Sequence, residues 1–362
     1  MKKKILLIGP FPPPVSGVSI ANKVIANGLI KNKWKVGIIN SEYSINLTSK
    51  HGKISLEKLN FIKTYFSLIK VFSFKIIYIT IGQSFFGVLK YLPFIFLARI
   101  ANKKLIVHLH GNHLLNEYNT LEGIKKNIFT HLISSFDYGI VLSTSLRNNF
   151  EPFLKKENIF VLNNFFEESL KIPDEILIPK KNFNELKVVF LSNLIQEKGI
   201  NILLEAIRVL EKKGVVVKLK VAGSIIKDND LSQYFNELKQ VEYVGVVHGK
   251  EKQDLLVWSN VFCLPTFYKM EGQPISILEA MALGNLILTT KHPGITDVCK
   301  DENAIFCDKE SVKDLVQKLE FLSNNLLQVA EKGLFNIEYS NKMFSEEKFI
   351  DNANEILLKC IN

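Results

Sequence analysis

Four clusters of residues have the types and spacing to act on a ligand. The most telling is Glu271-Gly-Gln-Pro-Ile-Ser-Ile-Leu-Glu279, followed by Ala-Met-Ala-Leu-Gly284. Glu271 lies in a Gly/Pro turn, and Glu279 falls about two turns on, along an otherwise apolar helix face. A carboxylate set among Ile277, Leu278, Ala280 and Met281 needs a partner, because an unpaired buried charge is costly. The hydroxyls of a vicinal diol would serve, as would an internal ion pair, and a surface glutamate would need neither. The turn also leaves amides at the helix N-terminus free for an anion. In Ser192-Asn-Leu-Ile-Gln-Glu-Lys-Gly199, Lys198 sits where a helix begins, so its ammonium and the helix dipole could both face a phosphate; a solvated lysine is the alternative. In His108-Leu-His-Gly-Asn-His113, alternation puts His108 and His110 on one face with no Cys or acid beside them, which serves a metal poorly. His110, at a strand's carboxyl end before a Gly turn, suits a substrate hydrogen bond, whereas His108 reads as core and His113 as surface. Finally, Gly9-Pro-Phe-Pro-Pro-Pro-Val-Ser-Gly17 enters a helix N-terminus, and Gly17 lets a ligand approach the backbone. A proline-stiffened connection fits that loop equally well, and no GxGxxG fingerprint is present.

These clusters sit between alternating strands and helices. Ile5–Ile8 reads as a buried parallel strand, and Ala21, Val24, Ile25, Gly28 and Leu29 mark one helix face. Trp34, Val36 and Ile38 alternate as a second strand, and further strands fit Lys75–Ile81, Lys104–Leu109 and Tyr138–Leu142. The pattern lapses at Glu167–Lys181, with Pro173, Pro179 and mixed charges, the best linker candidate. A second series follows: strands at Val188–Leu191, Val217–Val221, Val261–Leu264 and Leu286–Thr289, and helices through Ile200–Leu210, Ser276–Leu283 and Ser345–Cys360. Strands alternating with helices imply parallel sheets with crossover helices. The expected fold is therefore α/β, two doubly wound domains end to end, with a ligand cleft between them at the carboxyl ends of the strands.

The chain has 362 residues, ordinary globular composition and a net charge of +10. The charge is uneven: residues 1–170 hold 22 Lys+Arg against 9 Asp+Glu, and residues 1–115 hold 17 against only Glu42 and Glu57. An anionic partner is therefore expected on the N-terminal half. Cys263, Cys299, Cys307 and Cys360 lack CxxC spacing, which fits reduced thiols in a cytosolic chain. The run Ile5–Ile8 is too short for a signal peptide, and no apolar stretch approaches the roughly 20 residues of a membrane span. Between Phe61 and Lys75, however, Phe61, Tyr65, Phe66, Phe72 and Phe74 mingle with Lys63, Lys70 and Lys75. Such a stretch suits an anionic lipid surface, or else a core helix with solvated lysines.

Taken together, the motifs resemble the retaining glycosyltransferases of family 4, with the GT-B fold. The resemblance runs along nearly the whole chain through Ser16-Gly17, His110-Gly111, Val161-Leu-Asn-Asn164, Glu197-Lys198-Gly199, Val221-Ala-Gly223, Tyr243-Val-Gly245, Glu271…Glu279-Ala-Met-Ala and Pro293-Gly294-Ile295. It implies two Rossmann-like domains facing each other across a cleft: residues 1–170 bind the acceptor and 182–340 the nucleotide-sugar donor, with the helix 345–362 packing back on the first. It implies that Glu271 binds hydroxyls of the donor sugar and Glu279 those of the ribose. Lys198 would neutralise the diphosphate, helped by amides of Gly272, Gln273, Pro274 and Ile275 and by Ser16 and Gly17, although Pro274 has no N–H to give. Asn193, Gly223 and Val246 would complete the donor site, and His110 would stand near the transferred sugar. Fixed donors of this kind stabilise the charge that develops on a leaving phosphate. No cofactor and no divalent metal are expected. Three departures from the family pattern stand out: Ser192-Asn193 for the usual Gly-Arg, Gly272-Gln273-Pro274 for Gly-Phe-Gly, and Ser16-Gly17 for Gly-Gly.

The resemblance implies a hexosyltransferase-type enzyme that extends a glycan or lipid-carrier-linked acceptor in cell-surface polysaccharide biosynthesis. It would act in the cytoplasm, with its basic N-terminal half against the inner membrane surface. Nucleic acid is not an expected partner, since no binding motif accompanies the charge. Two alternatives remain open: another GT-B enzyme, such as a nucleotide-sugar epimerase or an inverting transferase, and a degenerate binding partner in an assembly complex.

Overall fold

The structure is a computed structural model that describes residues 3–42, 60–226 and 229–361. Lys2, Lys50, Lys53, Glu57 and Lys58, which enter the charge count of the N-terminal half, and Asn362, which enters the last-helix expectation, lie outside the described residues. The chain divides into two units. The first gathers the residues up to Asn164, Lys269–Gln273 and those from Glu347 on; the second holds Phe165–Tyr268 and Pro274–Glu346.

The first unit is built on strands β1 (Lys4–Gly9), β2 (Lys35–Asn40), β3 (Ile76–Ile81), β4 (Lys104–Leu109), β5 (Tyr138–Val141) and β6 (Ile159–Val161). They form one parallel sheet in the order β2-β1-β3-β4-β5-β6. Its central strands are continuous apolar runs because helices cover both faces. The helix Gly17–Lys31 buries Ala21, Val24, Ile25 and Leu29. The last helix, Glu346–Lys359, packs on it: a Cβ added to Gly28 would lie 2.5 Å from Ile350 Cγ2, and the Trp34 indole donates to Asn354 Oδ1 at 2.9 Å. The inward face of β2 differs from the expected Val36/Ile38. Ile39 is buried and Ile38 is exposed, because Gly37 makes room for the Phe74 ring, 2.3 Å from where its Cβ would stand.

The second unit carries β7 (Lys187–Leu191), β8 (Lys218–Ala222), β9 (Val241–Gly245), β10 (Val261–Leu264), β11 (Leu286–Thr290) and β12 (Ala304–Cys307), all parallel, in the order β12-β11-β10-β7-β8-β9. The winding direction reverses between β7 and β10, as it does between β1 and β3 in the first sheet. The loops at the carboxyl ends of these neighbouring strands are where a doubly wound sheet offers a ligand crevice. Ile200, Leu203, Leu204, Ile207 and Leu210 all face the core. The stretch read as a linker is not one. Residues 167–181 contain a 3-10 turn, Glu168–Leu170, and a helix, Asp174–Lys180, and Leu170 and Leu177 anchor both in the second core.

Candidate functional site

In the first unit the Pro-rich loop is tied down by side chains. Ser16 and Ser19 form a capping box on the helix Gly17–Lys31, with Ser19 N–H donating to Ser16 Oγ at 3.2 Å and Ser16 N–H to Ser19 Oγ at 2.8 Å. Asn22 donates to Pro10 O at 2.9 Å and accepts the Thr80 hydroxyl at 2.8 Å, which ties the loop after β1 to the end of β3. The Ser16 hydroxyl is thus occupied by the helix, whereas Gly17, its first residue, is exposed.

His108 and His110 lie side by side at the end of β4, their ring centroids 4.0 Å apart. Nε2 of His110 stands 3.1 Å from Nδ1 of His108, and that same Nδ1 meets the Tyr78 hydroxyl. Tyr78 and His108 are fully buried and His110 half-buried. Burial drives the His110 imidazole down to about 3, and burial with the neighbouring His110 holds His108 well below the ordinary histidine range, so both rings are neutral. Contrary to its reading as core with its needs met, His108 has an Nε2 with no hydrogen-bond partner. His113 is half-buried, with Nε2 3.9 Å from Glu117 Oε2, and is not a free surface residue.

The segment Lys269–Gln273 belongs to this unit and lies against the His110 turn. Gln83 donates to Met270 O at 3.2 Å and accepts the His113 N–H at 2.7 Å. A Cβ added to Gly272 would fall 3.0 Å from His110 O and 3.1 Å from Gly111 Cα, so glycine is what lets the chains approach. Glu271 is buried. Gln273 is buried as well: its Oε1 accepts the Asn164 N–H at 2.5 Å, its Nε2 donates to Asn163 Oδ1 at 3.2 Å, and its carbonyl accepts from Asn164 Nδ2 at 2.7 Å. Glu271, Gly272 and Gln273 are therefore brought together with His110.

In the second unit, Lys198 ends a 3-10 turn and the helix Ile200–Lys212 begins only after Gly199. Gly199 has φ 82°, and a Cβ there would stand 2.2 Å from Pro265 O. The loops after β7 and β10 are joined by the Phe267 N–H, which donates to Glu197 O at 2.8 Å. Lys198 Nζ lies 4.9 Å from the Tyr268 ring centroid, so this cation sits at the switch point of the sheet. Beside it, Gly223 (φ 142°) passes so close to Ser192 that a Cβ would fall 1.8 Å from Ser192 O. Its N–H donates to Gly245 O at 2.8 Å, while Asn193 and Val246 are exposed. Pro274 caps the helix Ile275–Ala282.

Glu279 is the fifth residue of that helix, one turn in, and it is buried. It has the internal ion-pair partner that its surroundings demanded. Lys252 Nζ lies 2.6 Å from Glu279 Oε1 and 2.7 Å from Glu167 Oε1. One ammonium between two carboxylates leaves an excess negative charge. Burial raises the Glu279 carboxyl, Lys252 draws it down, Glu167 raises it again, and the net shift is upward. Burial works against the Lys252 ammonium, but the two carboxylates outweigh it and its pKa rises. Lys252 and Glu167 carried no signal in the sequence: one stands in a charge-rich helix, Gly249–Trp258, the other in the supposed linker. Tyr78 was hidden in an apolar strand, although its place on the sheet face of His108 follows from strand alternation.

A patch of the first unit stands apart from these clusters. The 3-10 helix Asn60–Ser73 packs on the helix Leu92–Ile100 through Tyr65, whose ring is 5.9 Å from that of Phe94. Lys103 Nζ donates to Phe72 O at 3.1 Å. Of the aromatics in that stretch, Phe61 and Phe74 are core, as the core-helix alternative has them; exposed apolar side chains of the two helices include Ile62, Phe66, Ile69, Phe72, Phe96 and Ile100, with Phe66 88% exposed. Among the described residues no helix is long and apolar enough to cross a membrane, and no group of three or more His, Cys, Asp or Glu could hold a metal ion.

Two doubly wound parallel sheets, each with polar loops gathered at its switch point, define a GT-B fold. Residues 185–325, which contain Lys198, Glu271 and Glu279, match the family described as Glycosyl transferases group 1. An uncharacterized glycosyltransferase of Haemophilus influenzae is 24% identical over 259 residues, 67% of this chain and 70% of that protein. The capsular polysaccharide biosynthesis glycosyltransferase CapM of Staphylococcus aureus is 30% identical over 139 residues, 38% of this chain and only 36% of its own length. The fold is shared over almost the full chain with sucrose-phosphate synthase of Thermosynechococcus elongatus (TM-score 0.77, 15% identity, 99% of both chains). It is shared also with Anabaena HepE in complex with UDP (TM-score 0.74, 14% identity, 98% of this chain and 100% of that one).

Proposed function

We propose that this protein is a retaining, family 4 glycosyltransferase that moves a sugar from a nucleotide-diphosphate sugar to a growing glycan or lipid-carrier-linked acceptor in cell-surface polysaccharide biosynthesis. The observation that carries the reading is the switch-point turn inside the group 1 segment. There Gly199 packs beneath Pro265, and Lys198 is held at the carboxyl ends of β7 and β10, where a diphosphate would meet both its ammonium and the start of a long helix. In this reading Lys198 stabilises the leaving diphosphate, Glu271 binds hydroxyls of the sugar, Glu279 those of the ribose, and His110 contacts the transferred sugar as a neutral imidazole. Ser16, Gly17, Asn193, Gly223, Val246 and Gly272–Ile275 line the donor, and no divalent metal takes part. CapM, by its name, supports capsule-type products, and the UDP bound to HepE makes a uridine nucleotide the first donor to test.

The enzyme would work in the cytoplasm against the inner membrane surface, with Ile62, Phe66, Ile69 and Phe72 entering the interface and Lys63 and Lys70 meeting anionic headgroups. The test is a panel of nucleoside diphosphates and nucleotide sugars read by thermal shift, with and without EDTA, followed by NMR of the product's anomeric proton. One nucleoside diphosphate should stabilise the protein in EDTA and lose that effect in Lys198→Met, and the product should keep the donor's anomeric configuration. No stabilisation by any nucleoside diphosphate, or an inverted product, refutes the reading.

A further inference from the structure

The proposed reaction gives no work to Tyr78 or His108, yet they form the most unusual polar group in the first unit. Tyr78 on β3 and His108 on β4 belong to adjacent parallel strands, and both side chains are buried. One atom, Nδ1 of His108, faces two partners: the Tyr78 hydroxyl and, at 3.1 Å, Nε2 of His110. The other ring nitrogen of His108 faces none.

Counting protons decides how this group is arranged. If His108 carried its proton on Nδ1, it would donate to these partners. The Tyr78 proton would then lack the acceptor that His108 offers, and the bare Nε2 would lack a donor. If His108 carries the proton on Nε2, the Tyr78 O–H and the His110 Nε2–H share the single Nδ1 lone pair in a three-centre bond, and only the His108 Nε2–H is left with no acceptor at all. The second arrangement leaves fewer polar groups unsatisfied. We propose that Tyr78 and His108 are positioning residues that hold His110 in its Nε2–H tautomer, so that Nδ1 of His110 serves as the hydrogen-bond acceptor for a hydroxyl of the transferred sugar. The sugar contact rests on the proposed function; the tautomer does not. The backbone supports the same alignment, because Gly272 abuts His110 O and Gly111 Cα, and Gln83 ties Met270 to His113.

The chain has seven histidines, few enough to resolve by long-range 1H–15N NMR after selective 15N-histidine labelling, with assignment by single His→Gln variants. In the wild-type protein His110 should show a protonated-type Nε2 and a bare-type Nδ1. In Tyr78→Phe the hydroxyl donor is gone, so His108 should move its proton to Nδ1 and donate it to His110, which then inverts to the Nδ1–H tautomer. Phenylalanine keeps the ring's packing, and the wild-type spectrum is a measurement that needs no variant. A wild-type His110 protonated on Nδ1, or a Tyr78→Phe spectrum without inversion, overturns the relay. Inversion should be accompanied by a roughly tenfold fall in kcat with the nucleotide-sugar donor, about 1.4 kcal/mol in the barrier, and little change in KM. Inversion with unchanged kcat overturns the sugar contact and leaves the tautomer assignment standing. A wild-type protein inactive with every nucleotide sugar, whose own spectrum and Tyr78→Phe inversion are nevertheless as expected, would instead refute the enzyme reading and leave the tautomer assignment standing.

Discussion

Replacing Lys252 by methionine removes one cation from between two carboxylates while keeping most of its volume. The side chains of Lys252 and Glu279 are 12% and 3% exposed, and that of Glu167 is 28% exposed. Breaking a buried pair costs about 3–5 kcal/mol because the remaining charge stays buried. Here Glu167 keeps some water and Glu279 already tends to hold its proton, which places the loss near the lower end, about 3 kcal/mol. For a unit of this size that is roughly 6–12 °C in Tm. The pH dependence has a definite sign. Without Lys252, the Glu279 pKa rises further above its unfolded value, so the native state binds the extra proton and stability falls as pH rises from the ordinary carboxylate range. The penalty relative to wild type should therefore be small near pH 5 and largest near pH 8. Lys252→Met combined with Glu279→Gln removes the stranded charge and should recover more than half of the loss at pH 8. Urea denaturation at the two pH values measures all three proteins. A penalty equal at both, or a double variant no more stable than Lys252→Met, would refute the argument that this cation answers the buried glutamate.

Gly223→Ala should destabilise the second unit by more than about 2 kcal/mol, since it adds both an unfavourable φ and a contact with Ser192 O; a Tm within about 2 °C of wild type would contradict this. Lys181 is buried and donates to the carbonyls of Leu256 and Ser259 at the end of the helix Gly249–Trp258, and burial followed by the nearby Lys187 lowers its pKa to about 7. Because the unfolded chain then binds more protons between pH 7 and the ordinary lysine value, stability should rise with pH through that window, by up to about 1.4 kcal/mol per unit, and Lys181→Met should flatten the rise. In the proposed enzyme, Lys198→Met should lower kcat about 10²–10³-fold with the fold intact by circular dichroism. Less than about a tenfold change would remove Lys198 from the leaving-group site.

The sequence made the central strands legible and the edges obscure, for one physical reason. A parallel strand covered on both faces must be apolar throughout, and Ile5–Ile8, Lys75–Ile81, Val261–Leu264 and Leu286–Thr289 were found by that signal. The three strands that went unread, β6, β9 and β12, all lie at the margins of their sheets, and the fourth margin, β2, was read as a strand but with the wrong face inward. Val241-Glu-Tyr-Val-Gly245 is mostly half-buried, so it lacks a continuous run. Within the candidate site, the turn residues were legible because backbone requirements leave glycine in the chain, as at Gly199 and Gly223. Partners contributed by distant segments were not: nothing local to Glu279 points 27 residues back to Lys252 or onward to Glu167.

The departure from the family pattern at Gln273 has a local cause that explains why it need not disable the turn. The commoner aromatic residue could not make the contacts seen here, in which one buried amide takes the Asn164 N–H and gives its own proton to Asn163. These asparagines are the Asn-Asn of Val161-Leu-Asn-Asn164, so the two motifs are halves of one hydrogen-bonded joint within the first unit. Leaving that joint half-made is expensive, because Asn164 Oδ1 is already buried without a partner and a second orphan would be added. Gln273→Phe alone should therefore cost about 1–3 kcal/mol of stability even though it restores the common family residue. The calorimetric melt decides it: a variant as stable as wild type would mean that the glutamine is incidental to the turn and that the departure calls for a reason in the ligand.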